Sequence, residues 1–460
     1  MPAERISRKT ESKDESPRQN RQLAEVFAGI FGIFLGLCLL KFGNPVVLEK
    51  YVEEPPHDIL EWLINGWPPV WCYWAMGVMF GAGIILARWN KGVPKILAVL
   101  PVAWLAWQLI AGTRTVDATL TRWTLVHFAS CVASFYLGLL VLGRLRNPRP
   151  FLSGLLAGGA ITVMLGFEQH FGGLEETRKF FLAYTPDPSR IAPEMFNRVM
   201  SNRIYSTLFY PDTLAGAVLM LLPMGLGVVW SMKRQLSTGA RWLAMALVGI
   251  PALACLYWTE SKGGWLLSMA LAIVACGFLR AGTRLKLLLI SAILVLGLGG
   301  FAWRHMQYMK KGAPSAVARF DFWKAAVKIT AEHPLLGTGP GTFGLSYRKY
   351  MKPGGEVPRM THDDYLEQAS DSGVAGAVLY LGMIAGSLLW SLAKGQVRSD
   401  PLILGVWIGI LGWATHCLME FHLYIPAMAW PAFALLGWLV AISSKESTTI
   451  SNPPNIPGSG

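Results

Sequence analysis

Apolar segments of membrane-spanning length recur along this chain, and that repetition leaves it little choice of fold. Twelve can be drawn, at roughly 23–42, 70–88, 94–112, 122–143, 150–169, 211–232, 241–259, 264–280, 285–303, 373–393, 401–418 and 423–443. The hydrocarbon core of a bilayer needs about 20 apolar residues per helix, and only internally hydrogen-bonded backbone can cross it. Composition agrees: 53% of residues are hydrophobic, 15% are charged and 19 are Trp, where soluble domains average about 25% charged. The expected fold class is all-α, a polytopic membrane protein of about twelve transmembrane helices with a large helical outside loop between spans nine and ten.

Lys and Arg set the orientation. With the N-terminus cytoplasmic, the inside segments take about half of the 41 basic residues, and the short outside loops hold only Lys41, Lys50, Arg114, Arg122 and Lys262. Both termini are then inside and both long loops outside. The expected divisions are a disordered tail (1–22), spans one to five (23–169), an outside loop (170–210), spans six to nine (211–303), the large outside loop (304–372), spans ten to twelve (373–443) and a second disordered tail (444–460). The net charge of +13 follows largely from the inside bias and needs no nucleic acid. The six cysteines lie in or at the edges of spans, so a disulfide framework is not expected. The N-terminus opens on polar residues and a span-length apolar stretch, unlike a cleavable signal.

The polar interruption from Ala318 to Gly376 carries the chemistry. Arg319-Phe-Asp-Phe-Trp-Lys-Ala-Ala-Val-Lys-Ile-Thr-Ala-Glu-His-Pro334 reads as an amphipathic helix closed by its proline. Asp321, Lys324, Lys328 and Glu332 share one arc; Phe322, Trp323, Ala326, Val327 and Thr330 lie opposite, with Arg319 among them. A guanidinium there requires a partner. Thr361-His-Asp-Asp-Tyr-Leu-Glu-Gln-Ala-Ser-Asp-Ser-Gly373 predicts a capping box with Thr361 as N-cap, His362 as first helical residue and Gly373 as the stop. Arg203 stands just before the sixth span, at headgroup level. Lys262, in a short outside turn, runs against the charge bias and is either an interfacial anchor or a third cation. Gly337-Thr-Gly-Pro-Gly341 lacks a P-loop ending and reads as a tight turn. Glu175, Glu176, Arg178, Lys179, Arg190 and Arg198 read as a solvated face. His416, Glu420 and His422 read as a structural hydrogen-bonded cluster ahead of a metal site. The outside loops hold no Asp-x-Asp or similar carboxylate pair, so no metal and no cofactor is expected.

Four blocks, taken together, resemble the bacterial O-antigen ligase and polymerase family, which also includes some protein O-oligosaccharyltransferases. They are Arg203-Ile-Tyr-Ser-Thr-Leu-Phe-Tyr-Pro-Asp-Thr-Leu-Ala-Gly216, Glu260-Ser-Lys-Gly-Gly-Trp265, Arg319-Phe-Asp-Phe-Trp-Lys-Ala-Ala with His333-Pro-Leu-Leu-Gly-Thr-Gly-Pro-Gly-Thr-Phe343, and Thr361 to Gly376. The resemblance runs from residue 200 to about 440. It implies a glycosyltransferase of the bacterial inner membrane that moves a glycan from an undecaprenyl-pyrophosphate carrier to an acceptor hydroxyl on the periplasmic face. Lipid A–core or another glycan chain would be the acceptor, for a ligase or a polymerase respectively. It further implies pyrophosphate binding by Arg203 and Arg319, with Lys262 where the family more often has Arg, and His362 serving the acceptor hydroxyl. The family more often has Asn-Pro-Asn where Tyr210-Pro-Asp212 stands. A flippase or transporter is the competing class; it would place charges mid-membrane, whereas these cluster near segment ends.

Overall fold

The computed structural model describes residues 3–47, 55–57, 59–64, 66–145, 147–184, 196, 199–352 and 358–445. Among these the secondary structure is helical throughout: α1 (Ala3–Lys41), α2 (Ile59–Ile64), α3 (Pro69–Leu86), α4 (Lys95–Gly112), α5 (Ala118–Leu140), α6 (Arg149–Glu168), α7 (Leu174–Tyr184), α8 (Pro211–Ser231), α9 (Thr238–Trp258), α10 (Lys262–Phe278), α11 (Thr283–Lys310), α12 (Pro314–Glu332), α13 (Phe343–Tyr347), α14 (Asp364–Ala393), α15 (Gln396–Ser399), α16 (Pro401–His416) and α17 (Pro426–Ser443). Ten helices are long and apolar enough to cross a membrane, and two shorter apolar ones, α10 and α16, stand where the eighth and eleventh spans were expected. The all-α polytopic class is therefore the observed one.

Helix α17 is apolar on all sides and buried along nearly its whole length, as a central helix must be. The apolar stretch of α11, by contrast, is left uncovered by the rest of the chain. Where lipid is as apolar as leucine, helices gain by close backbone approach, which small residues permit. A Cβ on Gly36 of α1 would stand 2.5 Å from the Gly154 carbonyl oxygen of α6, and one on Gly409 of α16 would stand 2.2 Å from that of Met220 on α8. Both helix pairs are thus in backbone contact.

Helix α1 begins at Ala3 and extends through the polar stretch for which a disordered tail was expected. That stretch contains no glycine and is rich in Glu, Lys, Arg and Gln, which are good helix formers. The second expected tail lies, from residue 446 on, outside the described residues. Arg190 and Arg198 of the solvated-face reading also fall outside them. Arg178 does not conform to that reading: it donates to the carbonyls of Val199 (3.1 Å) and Ser201 (2.8 Å) and to Asn202 Oδ1 (2.6 Å). The loop folds back, and α7 supplies the cation that satisfies its carbonyls.

The large loop has a small core of its own. Phe322, Ala325, Ala326 and Ile329 of α12 pack with Phe343 and Tyr347 of α13. Val327, expected on the apolar side, is exposed, because the face that α12 buries runs through 322, 325, 326 and 329. Gly337, Gly339 and Gly341 all have positive φ, and the Gly341 amide donates to Asp371 Oδ2 at 2.7 Å. The glycine-rich segment is a turn bound to α14.

Two features of the Thr361 block differ from expectation. The N-cap is Asp363, whose side chain accepts from Tyr365 N and Leu366 N, and the helix starts at Asp364. Aspartate is at least as strong a cap as threonine, and Thr361 is engaged elsewhere: its N–H and Oγ1 both bond Glu367 Oε2, at 2.9 and 3.0 Å. His362 therefore precedes the helix, with φ 54°. Gly373 does not end α14 but kinks it, at φ 73° and ψ 178°, and the helix resumes to Ala393.

Candidate functional site

The four blocks meet at one end of the bundle. Arg203 Nε donates to the Thr259 carbonyl (2.7 Å), and its guanidinium pairs with Asp212 Oδ2 at 3.0 Å. The same oxygen lies 3.9 Å from the Arg319 guanidinium. Arg319 also pairs with Glu420 Oε1, and the other Glu420 oxygen lies 3.2 Å from His362 Nδ1. Arg203, Asp212, Arg319, Glu420 and His362 thus form a continuous line of polar side chains drawn from four separate stretches of the chain. The Glu420 side chain is only 3% exposed, while Arg319, Arg203 and His362 keep 23, 28 and 27%. The carboxylate is the hidden anchor, and the cations and imidazole face outward.

The partner that Arg319 required is therefore a pair of protein carboxylates, not a bound anion alone. Glu420 went unread as a functional residue. It was grouped with His416 and His422, yet its bonds run to Arg319 and His362. The two histidines pair with each other, His422 Nε2 to His416 Nδ1 at 2.7 Å. Burial, with His416 beside it, holds His422 down to about 3, so that ring is neutral at physiological pH.

Lys262 joins the group. Its Nζ lies 4.1 Å from the Tyr308 ring centroid, in the electrostatic neighbourhood of Arg203, Asp212, Glu260 and Arg319. Among the described residues no carboxylate pairs with it. Beside it Arg304, also missed, pairs with Glu260 at 2.5 Å and covers the Tyr257 ring at 5.0 Å. Four cations thus face three carboxylates, an excess that suits an anion.

Backbone strain concentrates here. Among the described residues five non-glycines have positive φ: Ser206, Phe209, Glu260, Ala313 and His362. All but Ala313 lie in the blocks that build the site. Each left-handed residue costs about 1–3 kcal/mol and persists only where its surroundings impose it. Around His362 the restraints are explicit. Asp364 N donates to the Cys417 carbonyl and Leu423 N to Asp364 Oδ2, both at 2.8 Å. The start of α14 is thereby bound to the turn that carries Glu420. The His362 ring lies against Phe421, with centroids 4.8 Å apart. Asp364, Glu367 and Asp371, all fully buried, each accept a backbone N–H from a different segment, so these acids are structural. Burial also pushes the Asp363 carboxyl up to about 6, against the two helix amides it caps.

A carboxylate only accepts hydrogen bonds, so Glu420 requires the neutral His362 ring to carry its proton on Nδ1. The other nitrogen, Nε2, has no hydrogen-bond partner among the described residues and is left as a proton acceptor. An oriented base beside fixed cations is an arrangement able to deprotonate a hydroxyl next to a bound anion.

Compared with known families, residues 247–381 match the model described as O-antigen ligase; no curated protein matches the chain. The matched segment contains Lys262, Arg304, Arg319 and His362, and leaves Arg203, Asp212 and Glu420 outside. It supports membrane glycosyl transfer of the O-antigen ligase or polymerase type, with a glycan donor and an acceptor. The chain is a multi-pass, all-α membrane protein whose residues 247–381 are similar to the O-antigen ligase family.

Proposed function

We propose that the protein moves a glycan from an undecaprenyl-pyrophosphate carrier to a hydroxyl of lipid A–core, at the periplasmic face of the bacterial inner membrane. The observation that carries this reading is the line from Arg203 through Asp212, Arg319 and Glu420 to His362. Arg203, Arg319 and Lys262 bind the pyrophosphate. The acceptor hydroxyl gives its proton to His362 Nε2 as its oxygen bonds to the anomeric carbon. The bond from that carbon to the phosphate oxygen breaks, and the leaving group departs as polyprenyl pyrophosphate. Its growing charge falls on fixed guanidinium groups, which a poorly solvated site makes far more effective than water. The arginine fork suits two phosphate oxygens at once. In this reading the cations act without a metal ion. Arg203 precedes α8, Lys262 opens α10 and Arg319 lies on α12, which is not among the helices apolar enough to cross a membrane; this favours surface chemistry over a mid-membrane transport path.

Mass analysis of lipopolysaccharide and carrier lipid from a deletion strain tests the proposal. Polymerised glycan held on the carrier beside bare lipid A–core is the expected result. Single repeat units on the core would assign the protein to polymerisation instead, and unchanged lipopolysaccharide would overturn both.

A further inference from the structure

Arg203 sits at the start of a turn whose own backbone bonds, Leu208 N to Tyr205 O at 3.1 Å and Tyr210 N to Leu208 O at 2.7 Å, satisfy it only in part. Ser206 and Phe209 have φ of 52° and 61°, and the segment from 203 to 210 has no helix or strand ladder to satisfy its backbone. A further partner comes from the turn just after α6, in the part of the chain without a motif and outside the matched segment. Gln169 opens a single π-helical turn, Gln169–Gly173, in which Gly172 has φ 148° and breaks the helix. Such bulges re-aim a side chain and recur at functional sites. The Gln169 Oε1 accepts from Tyr205 N at 3.0 Å and from Ser206 N at 2.7 Å, and Nε2 donates to the Ser206 carbonyl at 3.2 Å. Ser206 Oγ completes the attachment by donating to the Thr162 carbonyl at 2.6 Å.

We infer that Gln169 is a positioning residue for donor binding: its carboxamide holds the left-handed turn at Ser206 and so keeps the Arg203 guanidinium on Asp212, ready for the pyrophosphate. Only an amide fits all three bonds. A glutamate would accept from both N–H groups but would set a carboxylate oxygen against the Ser206 carbonyl; a leucine would leave every one of these bonds unmade. The side-chain hydrogen bonds of Gln169 all run to the backbone of Tyr205 and Ser206, so its effect on the site passes through the backbone of the turn. The inference rests on the glycosyl-transfer reading for its consequence, not for its geometry.

A double-mutant cycle in purified, liposome-reconstituted protein tests it. Gln169→Leu is expected to lower kcat/KM for the lipid-linked donor by about 10²-fold, the scale of an ångström of misplacement. The loss should lie mainly in donor KM, with acceptor KM unchanged, and Gln169→Glu should fall between. In an Arg203→Ala background, adding Gln169→Leu should cost nothing more. Losses that multiply across the two sites, or that affect acceptor and donor alike, overturn the inference and leave a merely structural glutamine. Hydrogen exchange provides a second reading that does not depend on activity. Amides of the 203–210 segment should exchange faster in Gln169→Leu, while the flanking spans are unchanged; an unaltered segment overturns the proposal. Wild-type protein without transfer would sink the functional reading alone, and the exchange experiment would still decide the role of Gln169.

Discussion

Replacing Glu420 by glutamine should disable the site while leaving its shape almost intact. The native carboxylate accepts from Arg319 with one oxygen and faces His362 Nδ1, at 3.2 Å, with the other. A glutamine has one acceptor and one donor end. If its oxygen faces Arg319, its NH₂ faces Nδ1; the ring must then carry its proton on Nε2, and the nitrogen offered to the acceptor hydroxyl can no longer take one. If the amide turns over, two donors confront each other at the guanidinium. The first arrangement satisfies both contacts; the second leaves a nearly buried group unsatisfied, at a cost of about 1–3 kcal/mol, which a folded membrane protein can survive. The chemical loss is larger, about 10² to 10⁴ in turnover, the usual worth of a general base. The assay is glycan transfer by purified protein in liposomes, with thermal stability measured on the same sample. Glu420→Asp retains the charge and two acceptor oxygens, and should retain more activity than the glutamine variant. A folded Glu420→Gln protein with wild-type turnover would refute the orienting role of this carboxylate.

Four further expectations follow from the same geometry. Arg319→Lys keeps the charge but not the planar fork, whose Nη2 lies beside both Glu420 and Asp212, so donor kcat/KM should fall about 10²-fold with folded yield retained; intact donor kinetics in a destabilised protein would make Arg319 purely structural. A reporter fused after Lys352 should be active only outside the cytoplasm and one after Lys233 only inside, and the reverse would put the cations in the wrong compartment. Transfer should continue in a strong chelator, whereas loss restored by magnesium or manganese would show that the cations do not suffice. The Asp363 carboxyl is raised from 3.8 to about 6 in the folded protein, so it contributes stability that is complete below about 4 and lost as pH rises through 6, worth about 3 kcal/mol at most; Asp363→Asn should flatten that part of the pH–stability profile, and an unchanged slope would refute the assignment.

The sequence exposed those site residues that are locally out of place. Arg203 and Lys262 are cations at the ends of apolar segments, and Arg319 is a cation on the apolar side of a helix. His362 stands out through its block. Glu420 had no such signal, because its partners lie 58 and 101 residues away and a carboxylate four residues after His416 reads as that histidine's neighbour. Gln169 is uncharged and sits at the end of a span with no motif, so nothing local sets it apart. The cap at Asp363 was misread for a related reason. Thr361 and Asp363 are both competent caps, and what separates them is tertiary: Thr361 is occupied by Glu367, and the start of α14 is fixed by Asp364 against the Cys417–Leu423 turn. The spans were legible because bilayer thickness is read from composition alone. The kink at Gly373 was not, since a left-handed glycine can stop a helix or bend it, and the contact that decides is with Pro334 and Leu335.

The carboxylates set between the cations bear on how the site would receive an anion. Two guanidinium groups beside each other repel, and at a membrane surface neither is fully hydrated. Asp212 resolves this with one oxygen, 3.0 Å from Arg203 and 3.9 Å from Arg319, and so holds both where a diphosphate could bridge them. Glu420 does the same for Arg319 and His362. In the proposed reading the carboxylates thus converge the donor-binding and proton-accepting halves without cancelling the charge, because Lys262 is left with no carboxylate partner among the described residues. The left-handed residues at Ser206, Phe209, Glu260 and His362 belong to the same design: each turns the chain sharply where a functional side chain leaves it. Much of the cost of bringing these groups together is therefore met in folding, which leaves more of the donor's binding energy for the transition state.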